Sequence, residues 1–227
     1  MMIGRYLQVL STITAVAVVA VPVEARQQNA SPQRPDHMQH RFDDPERFAK
    51  SFDDPQRDTW QMPDRVIEAL GLGFDSAVAD IGAGTGYFTL RLAKAVPKGT
   101  VYAVDVEPAM LEFLRQRART EHASNIVTVQ AAASSPNLRT PVDVILIVNT
   151  YHHLPRRVTY FGELKRSLNT GGRVAIVDYH KDAPGGPPPE FRFDAAQIID
   201  EMRRAGYRLD ARHDFLPRQH FLVFRPE

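Results

Sequence analysis

The sequence of 227 residues contains no cysteine. This absence excludes disulfide bonds, thiolate metal sites, thiol nucleophiles and c-type haem attachment. The chain also lacks an excess of charge of either sign, since 28 basic residues stand against 27 acidic residues. Because so nearly neutral a protein does not attract nucleic acid by bulk electrostatics, we expect no nucleic-acid partner.

The length of the chain leaves little room for a second large domain. Its hydrophobic fraction of 43% and charged fraction of 24% are those of an ordinary globular protein. We therefore expect one folded domain with a core of its own.

The only long apolar run lies at the N-terminus, from about Val9 to Val23, behind Arg5. It is shorter than the roughly 20 residues of a membrane-spanning helix, and it ends in Val23-Glu24-Ala25, which is typical of a leader-peptidase site. We predict a signal peptide over residues 1–25 and a periplasmic or secreted protein. Two alternatives stay open: an uncleaved inner-membrane anchor, which would be the only membrane contact, and a misassigned start with a cytoplasmic product.

Two segments separate this leader from the rest of the chain. Residues 26–41 are polar, and their composition predicts a disordered linker. The following residues repeat Phe-Asp-Asp-Pro, and an aspartate before a proline is a typical helix start. We predict a helical segment over residues 42–71, in which Arg57, Asp58 and Trp60 are placed as a lid over a ligand site.

From residue 62 onward, short β-prone runs alternate with helical patterns, which predicts a parallel sheet with right-handed crossovers. The last two strands are too close in sequence to pair in any way except as an antiparallel hairpin. The predicted fold is an α/β domain over residues 72–227: a Rossmann-like, seven-stranded, mostly parallel sheet with helices on both faces and a C-terminal antiparallel hairpin. The predicted strands are 77–81, 101–104, 126–129, 144–148, 173–177, 207–214 and 219–224, and the main predicted helices are 87–96, 108–120, 155–169 and 195–205.

The clearest motif follows the first predicted strand and reads Asp80-Ile81-Gly82-Ala83-Gly84-Thr85-Gly86. Alternate glycines let the backbone turn tightly and let a ligand lie against it where no Cβ intrudes. The next strand ends at Asp105, where a carboxylate can accept both hydroxyls of a ribose. The two motifs together predict a site for a ligand that contains a ribose.

These motifs, continued by Glu107-Pro108-Ala109-Met110-Leu111, resemble those of the class I S-adenosylmethionine-dependent methyltransferases over most of residues 66–224. The resemblance implies S-adenosylmethionine as the cofactor, with Asp80 at its amino group and Asp105 at its ribose. The family's acidic residue after the third strand is missing, so adenine recognition is expected from backbone groups, Ser134 or apolar contacts. The other cofactor contacts that the resemblance implies are Gly82, Ala83, Gly84, Gly86, Val106 and Asn149.

The fourth predicted strand is followed by Tyr151-His152-His153-Leu154. In an open α/β sheet the ligand crevice lies beyond the carboxyl ends of the strands, so these side chains are expected to face the transferred methyl group. The His-His-Leu sequence resembles small-molecule methyltransferases of the quinone-biosynthesis type, which implies a small-molecule acceptor. An imidazole suits the deprotonation of a hydroxyl or phenol, so we predict His152 or His153 as the base and Tyr151 as a wall of the acceptor pocket. No metal site is predicted.

Two other functions remain possible at this point. A nicotinamide oxidoreductase shares the glycine-rich turn, but its usual spacing is Gly-x-Gly-x-x-Gly rather than Gly-x-Gly-x-Gly. A non-catalytic, exported adenosyl-binding protein would reconcile the leader with a cofactor that is made in the cytoplasm.

Overall fold

The computed structural model describes Met1 and residues 44–227. Apart from Met1, the predicted signal peptide and linker lie outside the described residues, as do residues 42 and 43. Within the described residues, no helix is both long enough and apolar enough to cross a membrane.

Seven α-helices and seven β-strands make up residues 44–227. Short 3₁₀ turns lie at Tyr151–His153, Lys165–Ser167 and Pro189–Phe191. In chain order the main elements are α1 (Pro45–Phe52), α2 (Gln56–Gln61), α3 (Pro63–Ala69), β1 (Ala77–Ile81), α4 (Thr89–Ala95), β2 (Thr100–Asp105), α5 (Pro108–Thr120), β3 (Ile126–Gln130), β4 (Val142–Val148), α6 (Arg157–Leu164), β5 (Leu168–Tyr179), α7 (Ala195–Arg204), β6 (Tyr207–His213) and β7 (Gln219–Pro226).

The strands form one sheet in the order β3-β2-β1-β4-β5-β7-β6. Strands β1 to β5 run parallel to one another, while β7 is antiparallel to both β5 and β6. The predicted fold class is therefore confirmed, including the C-terminal hairpin. The order of the first five strands reverses at β1 and β4, and a crevice opens at their carboxyl ends.

Both faces of the sheet are covered, which explains why its central strands are almost uniformly apolar. In β4, Ile145 and Ile147 join a core cluster that includes Phe161 of α6 and Met202 of α7. The alternate residues of β4, such as Leu146, join the cluster on the other face, beneath α3 and α4. Alternation along one strand thus divides the core into two layers.

One predicted helix is shorter than the sequence indicated. Residues 155–169 were expected to form a single helix, but α6 ends at Leu164 and a 3₁₀ turn follows. Leu168 then already pairs with Val142, so β5 begins before the expected residue 173. The sheet pairing of Leu168 overrides the helical spacing of its side chain.

The N-terminal segment forms the helices α1, α2 and α3. The first Asp-Pro pair caps α1 as expected, because the side chain of Asp44 accepts a hydrogen bond from the backbone N–H of Arg47 at 3.1 Å. At the second pair Asp54 accepts from Gln56 at 2.8 Å, and α2 begins one residue after the proline. An ion pair of 2.7 Å between Asp53 and Arg117 holds the segment against α5.

Candidate active site

A cavity of about 780 Å³ lies at the carboxyl ends of β1, β2, β4 and β5. It contains most of the residues that the sequence pointed to, and it also receives side chains from α1 and α2. The predicted site residues that line it are Asp80, Gly82, Ala83, Gly84, Asp105, Val106, Asn149, His152 and His153. Gly86 lies in the same turn but faces Leu114 of α5 rather than the cavity.

The glycine-rich turn after β1 is held against β2 by backbone hydrogen bonds. The N–H groups of Gly82 and Ala83 both donate to the carbonyl oxygen of Val104, at 2.8 and 3.1 Å. Gly82 has a φ of +80°, and a Cβ at this position would lie 2.0 Å from the hydroxyl of Thr150. Only glycine adopts this positive φ without strain and has no Cβ to clash with Thr150. The turn therefore presents bare backbone to the cavity.

Asp105, the last residue of the neighbouring strand β2, is hydrogen-bonded to the turn. One carboxylate oxygen accepts the N–H of Gly84 at 2.8 Å, and the other accepts the N–H of Glu107 at 3.0 Å. Burial raises the pKa of Asp105, and these two backbone donors partly oppose the rise. The carboxylate is thus oriented by the backbone at the edge of the cavity, where remaining lone pairs can accept hydroxyl groups.

Asp80 lies deeper and is almost completely buried. Its carboxylate accepts a hydrogen bond of 2.7 Å from the hydroxyl of Thr89. Burial raises the pKa of Asp80 to about 6, and the hydrogen bond from Thr89 opposes that rise. A buried carboxylate with one neutral partner is suited to receive a cationic group of a ligand.

His152 forms a buried pair with Asp178 at the end of β5. Its Nδ1 lies 2.9 Å from both carboxylate oxygens, and its backbone N–H also donates to Asp178 at 3.2 Å. The backbone N–H of Tyr179 donates to the same carboxylate at 2.8 Å, which fixes its position further. The ring centroids of His152 and His153 lie 4.2 Å apart. Because Asp178 accepts a hydrogen bond from the protonated Nδ1, Nε2 of His152 is left as the acceptor nitrogen.

Tyr151 does not shape the cavity, and this expectation from the sequence needs correction. Its side chain is fully buried in the core and its hydroxyl donates to Glu201 of α7 at 2.6 Å. Its ring stacks on Phe161 and meets Phe193 edge to face. The 3₁₀ turn after β4 sends this side chain beneath α6 and α7, while the two following histidines reach the cavity.

Asn149 is connected to the N-terminal segment by a chain of side-chain amides. Its backbone has a φ of +53°, a conformation that asparagine tolerates better than most residues. Its side-chain oxygen accepts from Gln219, whose own oxygen accepts from Gln61 at 2.7 Å. Arg57 then donates through Nε to Gln61. Sequence reasoning missed this connection, because Gln61 and Gln219 are 158 residues apart and no local pattern links them.

The predicted lid residues divide into two groups. Arg57 and Trp60 line the cavity, together with Phe52, whose ring lies within 3.6 Å of where a Cβ of Gly84 would be. Asp58 does not line it, because its carboxylate accepts from the hydroxyl of Tyr87 and pairs with Arg91. The segment therefore supplies part of the cavity wall.

The two ends of the cavity differ in character. Ala131, Ala132 and Ala133 follow β3 beside the glycine turn, so the end expected to hold adenine is lined by small apolar residues. Beyond the histidines the walls are aromatic or apolar, and Trp60 and Tyr179 face each other with ring centroids 5.8 Å apart. The other residues of this second end are Leu154, Tyr160, Gly186, Pro187, Pro188 and Phe191.

The geometry fits S-adenosylmethionine on several independent points. The turn at Gly82 offers a backbone cradle, Asp105 is a carboxylate at the position expected for a ribose, and Asp80 is a buried acid for an amino group.

No group of three or more metal-binding side chains is arranged around a common point anywhere in the described part of the chain.

Residues 78–172 match the family model described as a methyltransferase domain. The chain is 29% identical to the demethylmenaquinone methyltransferase of Lactococcus lactis subsp. lactis (strain IL1403), over 53% of this chain and 48% of that protein. It is 30% identical to a malonyl-[acyl-carrier protein] O-methyltransferase of Paenibacillus sp. (strain JDR-2), over 48% of this chain and 41% of that protein. The chain thus spans less than half the length of these two relatives.

Solved structures share the fold over more of the chain. An S-adenosylmethionine-dependent methyltransferase from Aquifex aeolicus has a TM-score of 0.72 and 26% identity, covering 80% of this chain and 97% of that one. The magnesium protoporphyrin IX methyltransferase from Synechocystis PCC 6803, solved with bound cofactor, has the same fold at a TM-score of 0.58 and 18% identity, covering 74% of this chain and 79% of that one. The domain match and the fold support a methyltransferase as the enzyme class and S-adenosylmethionine as the cofactor.

Proposed function

We propose that this chain, whose residues 78–172 match the methyltransferase domain family, methylates a hydroxyl or phenol group of an apolar small molecule. The names of the relatives point to different acceptors, so the cavity itself carries the proposal. Its second end is aromatic and apolar, and it adjoins a histidine that is hydrogen-bonded to a buried aspartate. That pairing is the observation on which the proposed chemistry depends.

When bound, S-adenosylmethionine supplies a methyl group that is attached to a positively charged sulfur. The neutral thioether that forms when the methyl group is transferred is a good leaving group. The main tasks of the protein are then to align the acceptor with this methyl group and to exclude water. The glycine turn and Asp105 hold the adenosyl part, and Trp60 and Tyr179 line the acceptor end. In the proposed arrangement the histidines lie between the two ligands.

We assign the general base to His152 rather than to His153. A hydroxyl acceptor must lose its proton as the new bond to carbon forms, and Nε2 of His152 is the nitrogen that can accept it. Asp178 holds the ring in the required tautomer and stabilises the imidazolium that results. In this scheme Asp178 is a positioning residue, since it acts through His152.

A methyl-transfer assay on a panel of small phenols and alcohols tests the proposal. With wild-type protein we expect labelled product and S-adenosylhomocysteine in equal amounts. His152→Gln should lower kcat by about 10²-fold with an unchanged KM for the cofactor, since general-base catalysis contributes at least that much. Asp178→Asn should also lower kcat with an unchanged KM for the cofactor, because the ring is then no longer held in the tautomer that leaves Nε2 as the acceptor.

His153→Gln is the matched control, because it changes a neighbouring histidine that also lines the cavity. A wild-type kcat at every pH in His152→Gln would remove the proposed base. Binding of the cofactor without turnover of any acceptor would instead favour a non-catalytic adenosyl-binding protein.

A further inference from the structure

Three side-chain amides, those of Gln61, Gln219 and Asn149, form a hydrogen-bonded row that ends at the cavity wall. Gln61 and Gln219 are completely or almost completely buried. Gln61 donates through Nε2 to Oε1 of Gln219 at 2.7 Å, and Gln219 donates through Nε2 to Oδ1 of Asn149. Arg57 donates to the first amide of the row. The hydrogen bonds therefore all run in one direction, toward the cavity.

The direction of the amide row is fixed at its Arg57 end. A guanidinium has only hydrogen-bond donors, so Gln61 must turn its oxygen toward Nε of Arg57. The NH₂ group of Gln61 is then left for Gln219, which must offer its own oxygen in turn. The same step repeats between Gln219 and Asn149. Because a buried amide that turned over would lose its hydrogen bonds, the whole row holds one orientation.

The last amide of the row presents a donor to the cavity. With Oδ1 of Asn149 engaged by Gln219, its Nδ2 has no hydrogen-bond partner among the described residues. This nitrogen is not buried, since in that part of the chain the only buried side-chain nitrogen or oxygen without a partner is Nε2 of His220. Asn149 lines the cavity, so its NH₂ group is available to a ligand.

Asn149 lies beside the proposed base, because both residues are held by β5. The backbone N–H of Asn149 donates to the carbonyl oxygen of Val177 at 2.9 Å. The backbone N–H of His152 donates to the carboxylate of Asp178, the next residue of that strand, at 3.2 Å. Both side chains line the same cavity. The reacting atom of an acceptor can therefore lie between the Asn149 amide and the His152 ring.

A donor at this position distinguishes an oxygen acceptor from a nitrogen acceptor. A hydroxyl oxygen has two lone pairs, so it can attack the methyl group with one and accept a hydrogen bond with the other while its proton goes to the base. A neutral amine nitrogen has a single lone pair, which the attack uses, and its N–H groups need acceptors. An NH₂ group that faces the reacting atom thus favours oxygen and opposes nitrogen.

We propose that the side-chain amide of Asn149, held in one orientation by Gln219 and Gln61, makes this site selective for oxygen acceptors over amines. The selectivity rests on the proposed function and assigns a residue to its choice of acceptor. It involves only the side-chain nitrogen of Asn149, so it is compatible with a cofactor contact of the backbone carbonyl group. Gln219 and Gln61 act through Asn149 and are positioning residues.

Methyl transfer to a phenol and an aniline of the same carbon skeleton tests this selectivity. The phenol is the member of the panel that gives the most product, and the readout is the ratio of its kcat/KM to that of the aniline. Wild type should favour the phenol by at least about 10²-fold. Asn149→Asp replaces the NH₂ donor by a second acceptor oxygen, so it should lower the ratio by about 10-fold or more.

Gln219→Met breaks the amide row and lets the Asn149 amide turn over. The ratio should therefore fall in this variant too, by at least about 5-fold. Gln116→Met is the matched control, because Gln116 lies on the exposed face of α5 and donates to Glu112 at 3.4 Å. Its ratio should stay equal to that of wild type.

The possible failures are distinguishable. A wild-type ratio near one, or a wild-type ratio in Asn149→Asp, overturns the selectivity assigned to Asn149. An unchanged ratio in folded Gln219→Met overturns the role of the amide row. If Gln219→Met does not fold, Asn149→Asp decides, because that side chain is only partly buried. Transfer to neither phenols nor anilines would remove the proposed function itself.

Discussion

Gly84 donates its backbone N–H to a carboxylate oxygen of Asp105 at 2.8 Å, so the turn after β1 and the acid at the end of β2 form one unit. The parallel register of these strands places Ile81 beside Val104, which brings the two motifs together at the same edge of the sheet. A local sequence motif and a residue about twenty positions later thus become parts of one cavity wall.

Removing the charge of Asp105 should impair cofactor binding. Asp105→Asn keeps the size of the side chain, but it removes the charge and replaces one of two acceptor oxygens, both of which accept a backbone N–H, by an NH₂ donor. We expect the affinity for S-adenosylhomocysteine to fall by about 10²-fold, the equivalent of one or two charge-assisted hydrogen bonds. Calorimetry measures the change, and Asp200→Asn on the exposed face of α7 is the control. An affinity within a factor of two of wild type would exclude Asp105 from the site.

Asp80 should make both stability and binding depend on pH. Its folded pKa of about 6 exceeds its ordinary value of 3.8, so the folded protein holds this proton more tightly than the unfolded chain does. Its contribution to stability is therefore present at low pH and is lost as pH rises from about 4 to about 6, with a total of roughly 3 kcal/mol. Asp80→Asn lacks this loss, so without cofactor it should be more stable than wild type at pH 7.5 but not at pH 4.

Urea unfolding of the two proteins at several pH values checks this prediction. The quantity to follow is the difference between their free energies of unfolding at each pH. Other groups titrate in the same way in both proteins, so their effect is absent from this difference. In the binding experiment the cofactor's amino group favours ionised Asp80, so the affinity of wild type should weaken as pH falls below about 6. A pH-independent difference between the proteins would contradict the role of burial at Asp80.

Arg192 should support the loop on the acceptor side. Its buried guanidinium contacts five backbone carbonyl oxygens at 2.6 to 3.3 Å, all between residues 180 and 187. Arg192→Met leaves these carbonyls without their donor, so we expect a loss of roughly 2 kcal/mol in stability. Because Gly186 and Pro187 line the cavity, the KM for the acceptor should rise while cofactor affinity is unchanged. An equal loss of affinity for both ligands would show instead that the variant disturbs the whole domain.

The signal peptide predicted over residues 1–25 gives a prediction that concerns location rather than chemistry. If residues 1–25 are a cleaved signal, the protein recovered from a periplasmic fraction should begin at Arg26. Mass spectrometry of the purified protein and of its N-terminal peptide measures this directly. A full-length chain in the cytoplasmic fraction would contradict export, and a full-length chain in the membrane fraction would indicate an uncleaved anchor.

Much of the fold was predictable because its signals are local. The strands around β1 and β4 are short apolar runs, and apolar runs of this kind are typical of a sheet that is buried on both faces. The glycine turn and Asp105 were equally easy to predict, since each requires a particular residue type at one backbone position. The end of α6 was predicted wrongly because the pairing of Leu168 with Val142 depends on a distant strand.

The directions in which the side chains of the site point were harder to predict from the sequence. Tyr151 and His152 are neighbours in one 3₁₀ turn, yet the first points beneath α6 and α7 and the second lines the cavity. The pairing of His152 with Asp178 depends on the register between β4 and β5, which the sequence does not specify. Arg57 was expected in a lid and lies on the cavity wall, but its hydrogen bond to Gln61 and the link from there to Gln219 join distant parts of the chain that no local pattern connects.

The most direct test of the central claim is a calorimetric titration of folded wild-type protein with S-adenosylhomocysteine, run in parallel with NADH. The structure predicts one adenosyl ligand bound per chain and no heat from the nicotinamide cofactor. If S-adenosylhomocysteine gives no heat and no thermal shift, the turn at Gly82 and the carboxylate of Asp105 do not form a methyl-donor site.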